Sequence, residues 1–460
     1  MRKILLLVLA TAAAVSGVDE WWRSAVIYQI YPRSFKDSNG DGIGDINGIT
    51  SKLPYLKDTG VDAIWLSPIF LSPMFDFGYD ITDYKKIAPE YGTMEDFDKL
   101  MAEAKKLGLR VILDYVINHT SNESEWFIKS AQNDPNYADY YVSVFRKSAW
   151  EYNTERGQYY LHQFAVAQPD LNFRNAKVVE EMKDVLRFWL DKGVSGIRID
   201  AVNHLFEVDP ANYDGHYPDE PLSGAAGATP EDYSYLNHIY TKDQNETYDI
   251  VYDLKVILDQ YTEKQNDSKV MLTEAYADLP RIMRYYGDKN RNGSNGNHDQ
   301  SRLASKFGVD RVDIMNMLAL ILPGITVTYQ GEELGMTDGH VSWEDTKDPQ
   351  ACNTEDPINY WKSSRDPART PFHWDATANA GFSTASSTWL PVADNYKTFY
   401  KEVVATKRLP AVRSGDLEVR ALCDNVVAVA REKLQKGQVT MSPHCALVLS
   451  SSQNCCSASV

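Results

Sequence analysis

Short apolar runs that alternate with longer helical patterns are the feature that most constrains the fold of this 460-residue chain. Six runs have the apolar, β-branched composition of buried strands: residues 26–31, 63–66, 111–116, 196–200, 270–274 and 325–329. In residues 94–107 and 178–190, apolar side chains recur every three or four positions, which is the period of an amphipathic helix. Strands this apolar are buried on both faces. The alternation therefore predicts a parallel α/β sheet covered by helices.

Ionisable side chains stand at the carboxyl ends of three of these runs. Asp114 lies close to the end of the third run, Arg198 and Asp200 close the fourth, and Glu274 closes the fifth. In a (β/α)₈ barrel this end of every strand forms the active-site face. One such residue is often only a polar start to a loop, but several on one rim favour a functional site.

The carboxylates have different expected roles. Arg198 and Asp200 are two positions apart on a strand, so they share a face, and the guanidinium favours the ionised form of Asp200. Glu274 follows three apolar residues, and desolvation with neighbouring carboxylates should raise its pKa, as a general acid requires. Asp299, in an Asn-His-Asp segment, is a third candidate. An ionised nucleophile beside a protonated acid is the apparatus of retaining glycoside hydrolysis.

Eight motifs give the chain a family resemblance. In chain order they are WWRSAVIYQIYPRSF (21–35), GVDAIWLSPIF (60–70), DYVINH (114–119), QPDLN (168–172), GIRIDAV (196–202), LTEAY (272–276), NHDQSR (297–302) and GITVTYQGEELGM (324–336). From about residue 21 to about residue 431 the chain resembles the α-glucosidase (maltase) branch of the α-amylase superfamily, glycoside hydrolase family 13, and looks most like the secreted insect maltases. QPDLN is similar to the oligo-1,6-glucosidase-like subgroup. The resemblance implies a (β/α)₈ TIM barrel that releases α-glucose from the non-reducing ends of maltose-like or sucrose-like sugars.

The resemblance also implies roles for individual residues. Asp200 would be the nucleophile of a double displacement, Glu274 the acid/base and Asp299 the transition-state stabiliser. Six further residues would bind or position the substrate: Asp80, Asp114, His119, Arg198, His298 and Arg369. The two histidines would bond glucose hydroxyls, Arg198 would orient the nucleophile, and Asp114 would fix the local network. The pair Asp80 and Arg369 would clamp the non-reducing end, which favours exo-cleavage over endo-cleavage by an amylase.

Residues 37–45, Asp-Ser-Asn-Gly-Asp-Gly-Ile-Gly-Asp, are a second constellation. Oxygen ligands at positions 1, 3, 5 and 9 with glycine at 6 match the start of a calcium loop, but position 12 is Gly48 and not the EF-hand glutamate. The alternative is a turn-rich acidic loop. The resemblance implies a structural Ca²⁺, and no organic cofactor, with the ion held by Asp37, Asn39, Asp41, Ile43 and Asp45.

The domain prediction includes a gap in the barrel. Residues 18–119 and 173–395 are expected to form the barrel, 120–172 an inserted domain B, and 396–460 a truncated C-terminal β domain with a Ser/Cys-rich tail. Asp299 follows Glu274 by only 25 residues. Two βα units belong between them, each of about 30 residues, and residues 291–297 contain no apolar run. The chain is therefore predicted to lack about one βα unit, in the region of strand six.

The N-terminus predicts export. Two basic residues, an apolar run over residues 4–15 and a small-residue exit at 15–17 indicate a cleaved signal peptide, residues 1–17, and hence a secreted protein. No further transmembrane segment and no GPI signal is predicted. Sequons begin at Asn122, Asn245, Asn266 and Asn292, so glycosylation is expected. Another sequon begins at Asn118, but this residue lies in the predicted site and should not be glycosylated.

Other classes of function fit the sequence less well. A net charge of −17 argues against binding nucleic acid or an anionic membrane. The expected partner is a small oligosaccharide or disaccharide. The alternative is a non-catalytic member of the same family, such as an amino-acid-transporter heavy chain or an inactive splice form. Those heavy chains typically lose the catalytic carboxylates, and all three are present here.

Overall fold

The computed structural model describes residues 20–144, 149–230, 232–285, 292–294, 297–321, 325–393 and 396, and three strands near the C-terminus. Its largest sheet has seven strands: β1 (Val26–Ile30), β2 (Ala63–Leu66), β3 (Arg110–Tyr115), β4 (Gly196–Ile199), β5 (Val270–Thr273), β6 (Asn292–Ser294) and β7 (Ile325–Tyr329). The six predicted strands are confirmed to within one residue at each end. Residues 1–17, the predicted signal peptide, lie outside the described residues.

All neighbours in this curled sheet are parallel, in the order β5, β4, β3, β2, β1, β7, β6. Within the described ranges, no ladder joins β5 to β6, so these two strands form the edges. Strand β6 was not predicted, because Asn292–Ser294 contains no apolar residue. It forms because a parallel ladder with β7 needs only backbone groups.

Helices follow the strands and cover the sheet. Among the described residues outside 120–172, the α-helices of five residues or more are α1 (Ile46–Thr59), α2 (Met94–Leu107), α3 (Ala176–Asp191), α4 (Glu246–Gln265), α5 (Leu279–Tyr285), α6 (Leu303–Phe307) and α7 (Val312–Ile321). Helix α2 has the predicted bounds, since a capping box between Thr93 and Asp96 starts it and Gly108, at φ 68°, ends it.

The main core lies between the sheet and these helices. Trp189 of α3 is 2% exposed, and its ring packs against Phe70 and Phe97 with centroids 5.2 and 5.1 Å away. Its indole N–H donates to the Tyr84 carbonyl at 2.8 Å, so the one polar atom of the ring is satisfied. Truncation of such a side chain to alanine typically costs about 3–5 kcal/mol. This packing holds helices α2 and α3 together, because Phe97 belongs to α2 and Trp189 to α3.

The segment predicted as domain B contains a helix and a small sheet. The helix is Glu125–Ala131, and an antiparallel sheet joins Ser143–Val144, Gln158–Leu161 and Trp150–Asn153 in that order. One bridge, His119 to Asp170, joins this segment to the barrel, and a second, Tyr141 to Leu171, lies within the segment. It therefore lies directly beside the carboxyl end of β3.

Three strands are described near the C-terminus. Leu417–Cys423 pairs antiparallel with Val426–Arg431, and both strands lie within residues 396–460, for which a β domain was predicted. Leu447–Ser450 pairs parallel with the second strand and was not predicted. The Ser/Cys-rich tail after residue 450 lies outside the described residues. Among the helices that are described, none is long and apolar enough to cross a membrane.

Candidate active site

One buried arginine on β4 connects three carboxyl groups. Arg198 is 3% exposed, and its Nη1 donates to Asp114 Oδ1 at 3.0 Å and to Asp200. Its Nη2 lies 2.8 Å from Glu274 Oε2. The sheet register produces this contact, because Arg198 is paired with Asp114 of β3 and with Leu272 of β5, two residues before Glu274. Three adjacent parallel strands thus direct their polar ends to one point.

Asp114 is enclosed by protein donors. Besides Arg198, its carboxylate accepts hydrogen bonds from Trp65 Nε1 at 3.3 Å and from the Tyr79 hydroxyl at 3.1 Å. Asp114 is 1% exposed. It therefore holds the arginine in place and has no surface free to meet a ligand.

Asp200 and Glu274 both have raised pKa values. Burial raises the pKa of Asp200 to about 6, against the opposing charge of Arg198. Burial also raises the pKa of Glu274 to about 7, again opposed by Arg198 and assisted by the carboxylates of Asp200 and Asp299. Near neutral pH, Asp200 is therefore mostly ionised while much of Glu274 keeps its proton. That division suits a nucleophile and a general acid.

Asp299 is held ionised. Its Oδ1 accepts from Arg369 Nη2 at 2.8 Å, and Arg365 Nη1 lies 3.4 Å away. Burial raises its pKa, but the neighbouring His298, Arg369 and Arg365 outweigh burial and lower that pKa well below the ordinary value. Asp299 is also an electrostatic neighbour of both Asp200 and Glu274. The structure therefore brings the three predicted carboxylates together.

His298 is fixed between two tyrosine rings. Tyr31 and Tyr79 stack on either side of it with centroids 5.4 and 5.3 Å away, and Gln29 Nε2 lies 2.8 Å from its Nδ1. Burial lowers its pKa to about 3, so the imidazole is neutral at physiological pH. Its Nε2 lies 3.3 Å from Asp299 Oδ2. A neutral, oriented imidazole beside a carboxylate is suited to bonding a hydroxyl group.

His119 lies at the junction with the inserted segment. Its Nε2 lies 3.1 Å from the Tyr79 carbonyl and 3.2 Å from Gln168 Nε2, and its ring contacts Phe164 at a centroid distance of 5.2 Å. Burial lowers its pKa to about 4. The inserted segment therefore supplies one wall of the site through Phe164 and Gln168.

Of the two predicted clamp residues, Arg369 contacts the site and Asp80 does not. Arg369 contacts Asp299, as described above, and donates from Nε to the His298 carbonyl at 3.0 Å. Asp80 instead accepts hydrogen bonds from Ser72 and from the backbone N–H groups of Phe75 and Asp76, and is fully buried in its own loop. Within the described part of the chain, the hydrogen-bond partners of Asp80 all belong to that loop.

Two residues that the sequence analysis missed occupy the place expected for a clamp. Arg365 Nη2 contacts Asp76 Oδ1 at 2.8 Å, and the same guanidinium approaches Asp299. Arg365 also pairs with the fully buried Asp348 at 2.6 Å. A signal existed for both, because Asp76 lies four positions before Asp80, and Arg365 lies four positions before Arg369. The sequence alone does not show which of the two acidic residues in that loop faces Asp299.

The predicted calcium loop is organised by its own backbone. Asp37 accepts hydrogen bonds from the N–H groups of Asn39, Gly40 and Gly42, and Asp45 accepts from Ser38 and Gly48. The oxygen donors suit a hard cation such as Ca²⁺. In the described part of the chain, however, no three His, Cys, Asp or Glu side chains converge as a metal site. The Ca²⁺ prediction stays a prediction.

A curled parallel sheet that gathers two raised-pKa carboxyl groups on one guanidinium, with a third carboxylate held ionised beside them, has the parts of a glycoside hydrolase. The fold and the site together define that class of enzyme.

Comparisons with known proteins give the family. Residues 29–296 and 292–410 match the alpha-amylase family, described as alpha amylase, catalytic domain. The chain is 48% identical to Maltase A1 of Drosophila melanogaster, over 91% of this chain and 86% of that protein. It is 43% identical to the salivary alpha-glucosidase of Aedes aegypti, over 94% of this chain and 86% of that protein. It is 41% identical to the oligo-1,6-glucosidase of Parageobacillus thermoglucosidasius, over 82% of this chain and 79% of that protein. The chain belongs to the alpha-amylase family, glycoside hydrolase family 13.

Solved structures agree with this placement. The alpha-glucosyl transfer enzyme XgtA superposes with a TM-score of 0.78 at 33% identity, covering 90% of this chain and 89% of that one. A mutant of MutB in complex with its substrate sucrose gives a TM-score of 0.75 at 33% identity, with the same coverage. The (β/α)₈ barrel of this family is therefore the fold to which the curled sheet belongs.

Proposed function

We propose that this chain is a retaining α-glucosidase that acts on maltose-like or sucrose-like sugars. One observation carries the proposal: Arg198 holds Asp200 and Glu274 on a single guanidinium, beside the ionised Asp299. The names maltase and alpha-glucosidase on its relatives support the same activity. The alternative, a non-catalytic family member, is disfavoured because none of the three carboxylates is lost.

The proposed reaction is a double displacement. Asp200 attacks the anomeric carbon of the terminal glucose, a bond forms from its carboxylate oxygen to that carbon, and the glycosidic bond breaks. Glu274 gives its proton to the departing oxygen. A water molecule then attacks the same carbon, Glu274 takes the proton from it, and the bond to Asp200 breaks. Two inversions release α-glucose, while Asp299 stabilises the positive charge that develops on the sugar ring.

The ion pair of Asp76 and Arg365 is proposed to close the non-reducing end of the pocket. Side chains of both residues are at most 14% exposed, and both lie on the side of Asp299. Charged hydrogen bonds from this pair to the last hydroxyl groups of a sugar would leave no room for a longer chain. This arrangement favours removal of one terminal glucose at a time, with Arg369 supporting Asp299.

We further propose that the chain lacks about one βα unit between β5 and β6. The match to the family falls into two pieces that meet at residues 292–296. The alignment to Maltase A1 runs over 496 positions, more than the 460 residues of this chain. Strands β5 and β6 are also the two edges of the described sheet. An edge next to Glu274 is expected to reduce stability and activity, because it exposes backbone and core.

Secretion, glycosylation and calcium complete the proposal. The N-terminal sequence and the name salivary alpha-glucosidase on two relatives support secretion. Asn122, Asn245 and Asn266 are exposed and accessible to glycosylation, whereas Asn118 is 1% exposed and closed to it. A bound Ca²⁺ at residues 37–45 would brace the first βα loop and take no part in the reaction.

The direct test is an assay of the purified full chain. It is expected to hydrolyse p-nitrophenyl α-D-glucoside and maltose, and proton NMR of early time points should show α-glucose before mutarotation. Early appearance of β-glucose would contradict a retaining mechanism. A folded protein that hydrolyses neither substrate would contradict the proposal that this chain is an α-glucosidase.

A further inference from the structure

Gln29 lies on an interior strand of the sheet, behind the imidazole of His298. It belongs to β1, it is fully buried, and its main chain is paired in register with Trp65 of β2 and with Tyr329 of β7. Its amide nitrogen lies 2.8 Å from Nδ1 of His298 and 3.2 Å from the Ser67 hydroxyl. Burying an amide group costs free energy unless it is hydrogen-bonded, so these two contacts decide how the side chain is held.

Both faces of the His298 ring are covered. Tyr31 and Tyr79 stack on them, with ring planes inclined by 21° and 11° to the imidazole. Polar groups can therefore reach this ring only at its edge. There, Nδ1 meets the Gln29 amide, and Nε2 lies 3.3 Å from Asp299 Oδ2.

The neighbouring Asp299 decides which ring nitrogen carries the proton. Burial lowers the pKa of His298 to about 3, so the ring is neutral at physiological pH and has one N–H group. Asp299 is ionised, and a carboxylate oxygen can only accept a hydrogen bond. A lone pair on Nε2 would be repelled by this oxygen, whereas an N–H group there is attracted to it. The proton therefore belongs on Nε2, which leaves Nδ1 as an acceptor.

The Gln29 amide must then donate to Nδ1. Its nitrogen has two N–H groups, and an acceptor is present for each, Nδ1 of His298 and Oγ of Ser67. If the amide were turned over, both N–H groups would lose their partners, because Oε1 meets no hydrogen-bonding group among the residues that the structure describes. Two unpaired buried donors cost more than one unpaired oxygen. The surroundings thus fix the direction of the amide.

We propose that Gln29 is a positioning residue that acts on the reaction through His298. Its hydrogen bond to Nδ1 keeps the ring proton on Nε2 and stops the ring from turning over, so His298 presents a fixed N–H donor beside Asp299. A sugar hydroxyl at this point meets a donor and an acceptor side by side, which suits a group that both accepts and donates. The inference rests on the proposed α-glucosidase function and adds to it a residue that acts from behind the ring.

NMR of the imidazole nitrogens tests the position of the proton directly. The purified full chain is labelled with nitrogen-15 at histidine, and the signals that disappear in His298→Gln identify the ring. We expect Nε2 to be protonated and Nδ1 unprotonated, with no titration between about pH 5 and pH 8, where an unperturbed histidine titrates. Gln29→Glu replaces the donor by an acceptor of nearly the same shape, so Nδ1 should gain a proton. Ser67→Ala removes only the second partner of the amide and should keep the wild-type spectrum.

Kinetics tests whether this proton matters for turnover. Gln29→Leu leaves Nδ1 without a donor, so the ring and the neighbouring Asp299 lose their fixed arrangement. We expect kcat for p-nitrophenyl α-D-glucoside to fall by about tenfold while KM changes little, because Asp299 is proposed to act in the transition state. Ser67→Ala, which keeps the donor, should stay close to the wild-type kcat.

A wild-type ring with its proton on Nδ1, or one that titrates near pH 6.5 like an unperturbed histidine, would overturn the inference. A folded Gln29→Leu chain with the wild-type kcat would do the same. The inference and the proposed function can fail separately. If the wild-type chain hydrolyses no substrate, the proposed function is contradicted, but a proton gained by Nδ1 in Gln29→Glu would still uphold the control of the ring by Gln29. An active chain whose spectrum is unchanged in Gln29→Glu would contradict the inference and leave the hydrolase standing.

Discussion

The guanidinium of Arg198 lies 2.8 Å from the carboxylate of Glu274. The other nitrogen of the same guanidinium contacts Asp200. One positive charge is thus shared between the two groups that, in the proposed mechanism, start the reaction in opposite protonation states. Burial raises both pKa values, and the charge of Arg198 opposes the shift of each carboxyl group.

Asp200→Asn should remove activity while leaving the fold intact. An amide cannot form the glycosyl–enzyme bond, so we expect kcat for maltose to fall by about 10³-fold or more. Asp253→Asn, on the exposed face of α4, is a surface control. Circular dichroism of both variants should match the wild type. Full retention of turnover in a pure Asp200→Asn preparation would remove Asp200 as the nucleophile.

Glu274→Gln should separate good leaving groups from poor ones. General acid catalysis typically contributes about 10²–10⁴-fold, and it is needed most when the departing oxygen is a poor leaving group. We therefore expect a large loss of kcat/KM on maltose and a much smaller one on p-nitrophenyl α-D-glucoside. Losses of equal size on the two substrates would contradict the role of Glu274 as the acid.

The activity should have a narrow, bell-shaped dependence on pH. Asp200 must be ionised, so kcat/KM should fall below about pH 6; Glu274 must be protonated, so it should fall above about pH 7. Because the two groups share Arg198, the apparent pKa values of the two limbs belong to the pair and not to either residue alone. On the aryl glucoside, Glu274→Gln should abolish the basic limb and keep the acidic one; a basic limb that survives would point to another group.

Substitution of Asp76 and Asp80 should give different results. Asp76→Ala leaves Arg365 without one of its buried partners at the pocket, and loss of one member of such a pair typically costs 2–5 kcal/mol, so kcat/KM should fall by about 30-fold or more. Asp80→Ala removes the acceptor for three groups of its loop and should chiefly lower the melting temperature. A large loss of kcat/KM in Asp80→Ala, with little change in Asp76→Ala, would support Asp80 as the residue that binds the non-reducing end of the sugar.

Calcium should stabilise the chain through residues 37–45. A ligand that binds only the folded state at a hundred times its Kd adds about 2.7 kcal/mol, so EDTA should lower the melting temperature measured by calorimetry. Asp41→Ala should make that temperature insensitive to EDTA. An EDTA effect of zero on the wild type would argue against a bound ion.

The proposed gap of about one βα unit can be tested at the transcript and in the protein. Sequencing of the message across codons 285–300 shows whether the short form is expressed. Insertion of the corresponding segment of Maltase A1 between β5 and β6 should raise both the melting temperature and kcat, since it covers two strand edges next to Glu274. No gain in either value would contradict the proposed gap.

The local pattern of the sequence predicted six of the seven strands of the main sheet, helix α2 and most of helix α3, and it selected the three candidate catalytic carboxylates. Buried strands must be apolar, and in amphipathic helices apolar side chains must recur every three to four residues. Strand β1 and helix α2 can therefore be predicted from the sequence alone. Position at a strand end and an apolar context were enough to select Asp200 and Glu274. The family motifs then placed Asp299 with them.

Only the tertiary structure decided which neighbouring polar residue faces the pocket. Asp76 and Asp80 lie in one loop, which has no regular period. Arg365 and Arg369 lie at the two ends of a single turn of 3-10 helix, Asp366–Arg369, which is too short to show a period in the sequence. The choice depends on long-range contacts: Asp76 reaches Arg365, which is 289 positions away in sequence. The same holds for strand β6, whose ladder depends on backbone groups of β7 and not on its own side chains. Periodicity reports local burial, whereas pairing between distant segments is settled only when the chain packs.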